Sequence, residues 1–373
     1  MSVQRLEILN KPARPTHLPV GLNDFQFCEQ GTVNPSFIIN NPAVSLYSLD
    51  DASRQAIFVE LPDEICLTES AYVYETQFQH AIRLYAVPYD TFNLLAEQLP
   101  YVKQPVFIHA TGLCGSRLLH KVLTRSQAVV GLSQTDVFSV LNRIRQQAPQ
   151  NRDLELRRLA KSSMRFLFKN EHGPGIQVHL IKCRGQVMQS MDLLQSAFPQ
   201  ARNLFLYREA LGYVNSGMRI FLEQLPHHAG FKAWQQYYNN VWGADLTHME
   251  AYLDQPDAPL DKVSRLTLDW MTAMEGYVAQ AEKGIPAHML SYRRLIMDRT
   301  EALAEIFSYC GLPKDHMADA LLAYDPDSRV CPVMGGKPYP GDRSALNQGQ
   351  INTVLGILDR HPVLNVTLEP ALV

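Results

Sequence analysis

"HATGLCGSRLLHKVL" (residues 109–123) follows a short apolar run, Val106-Phe107-Ile108, and carries Gly112 and Gly115 three positions apart. An apolar strand, a glycine turn and then a helical pattern is the layout of a phosphate cradle. Glycines let the backbone turn sharply and approach a ligand with no Cβ in the way. Ser116, Arg117 and Leu118 then open the helix. Their N–H groups have no partner inside the helix and, with its dipole, favour a phosphate or sulfate. Ser116 adds a hydroxyl donor, and the Arg117 guanidinium matches two anionic oxygens. An ATP-binding loop would end in Gly-Lys-[Ser/Thr]. That lysine is absent here, which argues against a nucleotide kinase or other NTPase.

Working outward, "PVFIHA" (105–110), "VHLIK" (178–182), "NLFLY" (203–207) and "HMLSY" (288–292) read as short buried strands. Helical patterns such as "LGYVNSGMRIFLEQL" and "LTLDWMTAMEGYVAQAEK" fill the gaps. The alternation predicts an α/β domain with a central, mostly parallel sheet flanked by helices. Ligand-facing groups then belong beyond the carboxyl ends of the strands. This domain is expected to span 104–373, preceded by an N-terminal accessory module, 1–103, with a structural or dimer-forming role. Within that module, residues 1–55 are rich in Pro and Asn and predict extended, loop-rich structure. "QAIFVELP" (55–62) predicts a strand stopped by Pro62, and residues 71–100 a helix, a strand at 82–87 and a second helix. "NRDLELRRLAKSSMRFLFKN" (151–170) reads as a basic helix with a solvated face.

The chain has 373 residues, 46% of them hydrophobic, and a formal net charge of −3. That provides a core but no basic field for nucleic acid. Six cysteines are scattered without a Cys-x-x-Cys pair. This speaks against a disulfide framework or zinc site and for a reducing, cytoplasmic setting. No apolar run is long enough to span a bilayer. His227 and His228 have no neighbour at ligand spacing, so no metal is expected.

The second informative stretch is "FPQARNLFLYREALGYVNSGMRI" (198–220), where Arg208 follows a strand and Ser216 lies eight residues on. At this point the chain resembles the sulfotransferases that use 3′-phosphoadenosine-5′-phosphosulfate (PAPS). "TGLCGSRLL" resembles their phosphosulfate loop, Pro-Arg-Ser-Gly-Thr-Thr-Leu-Leu. "LFLYREALGYVNSGM" resembles the Arg-Asp-Pro-x-Asp-x-x-x-Ser signature that binds the 3′-phosphate. "FPQA" is similar to their Phe-Pro-x-Ala, and "LSYRRLIMDRTEALAEIFSYCGLP" to a later Tyr-Glu-Asp-Leu…Leu-Gly-Leu-Pro segment. The four matches cover about residues 105–315, in the family's order.

The resemblance implies a P-loop NTPase-like sulfotransferase fold. It also implies transfer of a sulfuryl group from PAPS, without metal, to a hydroxyl on a small molecule, lipid or sugar. It assigns Gly112, Cys114, Gly115, Ser116, Arg117, Leu118, Arg208 and Ser216 to the donor. Lys182 matches a lysine at the strand end that faces the leaving group or sulfuryl oxygens. "LSQTDVF" (132–138) resembles a Ser-Glu-Pro-x-x-Phe segment, with Gln134 at the glutamate. Glutamine cannot accept a proton, so Asp136 is the named base and His109 its alternate. Arg184 stands where the cytosolic branch has a histidine. A late Gly/Pro-rich loop in the family covers the nucleotide, pointing to Lys337 and Arg343. Leu113 and Cys114 replace a basic residue and a serine, and Arg117 a threonine. Those departures support the alternative, a non-catalytic PAP- or PAPS-binding protein (PAP is the desulfonated donor).

Overall fold

The computed structural model describes residues 2–148, 151–220, 229–324 and 346–364. Among them ten strands form two sheets. The first is antiparallel, ordered β2-β1-β5-β4-β3, from β1 (Val3–Asn10), β2 (Gln26–Val33), β3 (Val44–Asp50), β4 (Gln55–Glu60) and β5 (Arg83–Pro88). β4 shows why its sequence is continuously apolar. Ala56 and Phe58 pack with Phe92 and Leu95 of helix Tyr89–Glu97. Ile57 and Val59 pack with Tyr74 and Phe78 of helix Val73–His80 on the other face.

The loop-rich reading of residues 1–55 requires correction, because β1, β2 and β3 lie there. β2 is an edge strand with no buried residue, and β1 carries two register shifts against it. Neither strand can therefore keep the two-residue alternation by which a strand is read.

The second sheet is parallel throughout, ordered β10-β9-β6-β8-β7. It comprises β6 (Gln104–Ala110), β7 (Val129–Ser133), β8 (Val178–Lys182), β9 (Arg202–Tyr207) and β10 (His288–Ser291), with helices between. The fold is therefore α/β, a parallel sheet flanked by helices with an additional antiparallel sheet at the N-terminal end. β7 was not foreseen from sequence; it has five residues with Gly131 at its centre. The chain leaves β6 for β7, returns to β8, then crosses to β9. The order thus reverses at β6, and in such a sheet ligands bind beyond the carboxyl ends of the strands at that point.

One apolar cluster runs from Val3 to Ala201 through both sheets. Helix Asp153–Leu167 contributes the buried Leu156, Leu159, Met164 and Phe166. Phe166 stacks on Phe92 at 5.1 Å. Its basic side is solvated, as read from sequence, but not idle: Arg152 bonds both oxygens of Asp51 at 2.7 and 2.8 Å.

Helix Lys262–Glu282 begins at Asp261, whose carboxylate accepts from Ser264 N–H at 2.8 Å. Asp261→Ala is expected to cost about 1 kcal/mol in urea denaturation. An unchanged midpoint would mean that packing alone starts this helix.

Candidate functional site

The loop after β6 is held from below. Leu206 C=O of β9 accepts from Thr111 N–H at 3.0 Å and from the Cys114 thiol at 3.4 Å. Cys114 is fully buried, so its side chain anchors the loop and only its backbone is left to face a ligand. Three of the four residues 112–115 are left-handed: Gly112 (φ +89°), Leu113 (φ +51°) and Gly115 (φ +79°). Successive N–H groups in such a turn point inward and form an anion-binding concavity. A Cβ on Gly115 would lie 3.0 Å from Leu295 Cδ2 and 3.1 Å from Tyr292 Cδ2, so glycine is required there on two counts. Leu113 is the residue that carries the strain.

Helix Ser116–Leu123 starts on this turn. Its first ladder bond runs from Leu119 N–H to Gly115 C=O at 2.9 Å. The N–H groups of Ser116, Arg117 and Leu118 therefore lie outside the ladder. Ser116 is buried, while Arg117 and Leu118 are half-buried.

Lys182 ends β8 beside β6, in register with Ile108. It is 5% exposed, and no carboxylate pairs with it among the described residues. Burial lowers its pKa to about 8; the thiols of Cys114 and Cys183 oppose this, and the charges of Arg117 and Arg184 add to it. The Arg117 charge thus lies near enough to Lys182 to help lower its pKa.

Arg208 and Ser216, chosen from sequence, touch. Arg208 Nη1 donates to Ser216 Oγ at 2.9 Å and to Leu113 C=O at 3.3 Å. The guanidinium lies over the Tyr292 ring at 4.5 Å, and the Arg208 carbonyl accepts from Trp270 Nε1 at 2.7 Å. Loop, arginine and serine are one connected unit. Tyr292 and Trp270 are its supports; the first begins the "YRR" stretch, whereas nothing local in the sequence marks the second.

Asp136 and His109 stand elsewhere in this frame. Asp136 Oδ2 accepts from Arg184 Nη1 at 3.0 Å and from Val20 N–H at 2.8 Å. Arg184 also donates to the carbonyls of His17 and Leu18. The pair fastens the 16–20 segment to the end of β8. His109 is fully buried, and burial lowers its pKa to about 4, so it is neutral at pH 7. Sequence reading missed His120, a buried imidazole lowered to about 3 by burial and by the Lys182 charge. His227, His228, Lys337 and Arg343 lie outside the described residues. Among the described residues no group of three metal-ligating side chains occurs, and no helix is long and apolar enough to cross a membrane.

No protein-family model and no curated protein matches the chain. Solved structures do. A sulfotransferase from Mycobacterium avium is 13% identical, with a TM-score of 0.39 over 71% of this chain and 77% of its own. One from Mycobacterium tuberculosis is 14% identical, with a TM-score of 0.37 over 62% and 73%. Retinol dehydratase in complex with androsterone and inactive cofactor PAP is 10% identical, with a TM-score of 0.37 over 88% and 99%. The solved structures this chain resembles are sulfotransferases and a PAP-bound retinol dehydratase. At these TM-scores the fold stands on strand order and loop geometry rather than on the likeness.

Proposed function

We propose that the chain is a PAPS-dependent sulfotransferase. Residues 104–373 would form the transferase domain and residues 1–103 an accessory module, and the acceptor is a hydroxyl compound. The observation that carries this reading is the hydrogen bond of Arg208 to both Ser216 and the Leu113 carbonyl. It joins the loop to Arg208 and Ser216, which supports a reading with two anion sites side by side, as a donor with separate 5′ and 3′ phosphate groups requires.

In this reading the N–H groups of 112–118 and the Ser116 hydroxyl hold the 5′-phosphosulfate, and Arg208 with Ser216 holds the 3′-phosphate. PAPS supplies an activated sulfuryl group whose leaving group is a phosphate. Lys182 and Arg117 offset the negative charge that grows on that phosphate, from positions fixed before reaction. Arg117 does part of the work of the basic side chain missing at 113. Sulfuryl transfer needs mainly alignment and charge compensation, as phosphoryl transfer does.

PAP is expected to raise the melting temperature strongly and ATP hardly at all, because only a ligand that binds the native state shifts unfolding. Equal shifts from the two nucleotides, or none from either, would contradict the reading. The alternative, a non-catalytic PAP-binding protein, is supported by Leu113, Cys114 and Gln134. It predicts the same PAP shift with no transfer to any acceptor.

A further inference from the structure

The basic helix Asp153–Leu167 lies against helix Tyr89–Glu97, and three contacts tie the two together. Arg158 Nη2 donates to Glu97 Oε1 at 3.3 Å, Ser162 Oγ to Asn93 Oδ1 at 2.6 Å, and Arg165 Nη1 to the Ala96 carbonyl at 2.8 Å. Residues 158, 162 and 165 fall on one helical face, so the contacts form a row. Along that row a groove of about 420 Å³ is left open, lined by Asn93, Glu97, Tyr101, Arg158, Lys161 and Arg165. Such a volume is that of a small-molecule site.

The groove is remote from the donor loop. Tyr101 precedes β6 (Gln104–Ala110) by three residues, whereas the glycine loop follows its last. At about 3.3 Å per residue the strand keeps the two roughly 20 Å apart. None of the groove's side chains belongs to the donor site.

Its chemistry is that of an anion receptor. Three cations line it against one carboxylate. Arg158 and Glu97 are both more than half exposed, so their pairing is weak and an incoming anion can displace it. Lys161 is exposed and makes no hydrogen bond or ion pair among the described residues. Asn93, deeper in the groove, is only 6% exposed. Its Oδ1 is taken by Ser162, while Nδ2 meets no acceptor among the described residues and yet is not fully shielded. A buried amide donor therefore opens into the groove beneath the cations. At the rim Arg165 lies over the Tyr101 ring at 3.9 Å. Tyr101 is 80% exposed, which leaves the rest of its ring open for stacking.

We infer that this groove binds a small phosphate monoester carrying a flat ring. Lys161, Arg158 and the Asn93 amide meet the phosphate oxygens, Arg165 bridges phosphate and ring, and Tyr101 stacks on the ring. A phosphate monoester carries close to two charges at pH 7, which suits three cations facing one carboxylate better than a singly charged sulfate ester does. The inference does not depend on the sulfotransferase reading.

The test titrates the full chain calorimetrically with phenyl phosphate, phenyl sulfate and inorganic phosphate, and maps the phenyl phosphate complex by amide hydrogen exchange. Exchange should slow in residues 93–101 and 158–165. Lys161→Met should weaken phenyl phosphate about tenfold. Glu97→Gln should tighten it about twofold to fivefold, because the competing carboxylate is gone. Tyr101→Ala should weaken it about fivefold and inorganic phosphate far less. All three positions are exposed, so the variants should fold as the wild type does. No binding at millimolar concentration, slowed exchange confined to residues 112–118, or an affinity indifferent to Lys161→Met would overturn the site. Phenyl sulfate bound as tightly as phenyl phosphate would overturn the phosphate assignment. Full phenyl phosphate affinity in Tyr101→Ala would overturn the ring-bearing class.

Discussion

Lys182→Met is expected to make the protein more stable at pH 7 while lowering transfer about a hundredfold to a thousandfold. The two effects share one cause. The ammonium is buried with no carboxylate among the described residues to compensate it, and its pKa of about 8 lies below the ordinary 10.5. A lysine lowered in the fold holds fewer protons there than in the unfolded chain between those two values. Stability therefore rises with pH across that window, and below about pH 8 the full cost of the buried charge is present. The interval corresponds to about 3 kcal/mol. Methionine removes the charge and fills a similar volume. Urea denaturation of wild type and variant should differ at pH 7 and converge near pH 10. A less stable variant would mean that the ammonium has a compensating partner. A stable variant with unchanged turnover would remove Lys182 from the chemistry.

Arg208→Ala should weaken PAP about tenfold to a hundredfold, the range of a charged hydrogen-bonded contact. Adenosine 5′-phosphosulfate, which lacks the 3′-phosphate, should be affected far less. Arg208 is well held before any ligand arrives, between Ser216 and Tyr292, so little ordering cost is left for binding. Equal weakening of both ligands would show that Arg208 supports the loop through its bond to Leu113 and does not read the 3′-phosphate.

What could be read from the sequence was local. The spacing of Gly112 and Gly115 fixes a turn whose left-handed residues the backbone then shows. Arg208 follows a strand and Ser216 lies about two turns into the next helix, so their separation is set largely by helical geometry, and they meet at 2.9 Å. β6, β8, β9 and β10 were visible because a parallel sheet covered on both faces reads as short apolar runs. β1 and β2 were hidden by bulges and by an exposed edge. Long-range pairing was not legible at all. Nothing near Asp136 announces that Arg184, 48 residues later, will occupy it. Nothing near Gly112 announces that Tyr213, about a hundred residues later, will pack against it.

Amide hydrogen exchange with and without saturating PAP tests the central claim most directly, because it reports where the ligand sits rather than only that it binds. The account predicts slowed exchange at the N–H groups of residues 112–118 and in the first turns of the helix after Arg208, including Ser216. It predicts little change across the N-terminal antiparallel sheet. PAP binding with no protection at either segment, or with protection confined to residues outside them, would contradict the placement of both phosphates.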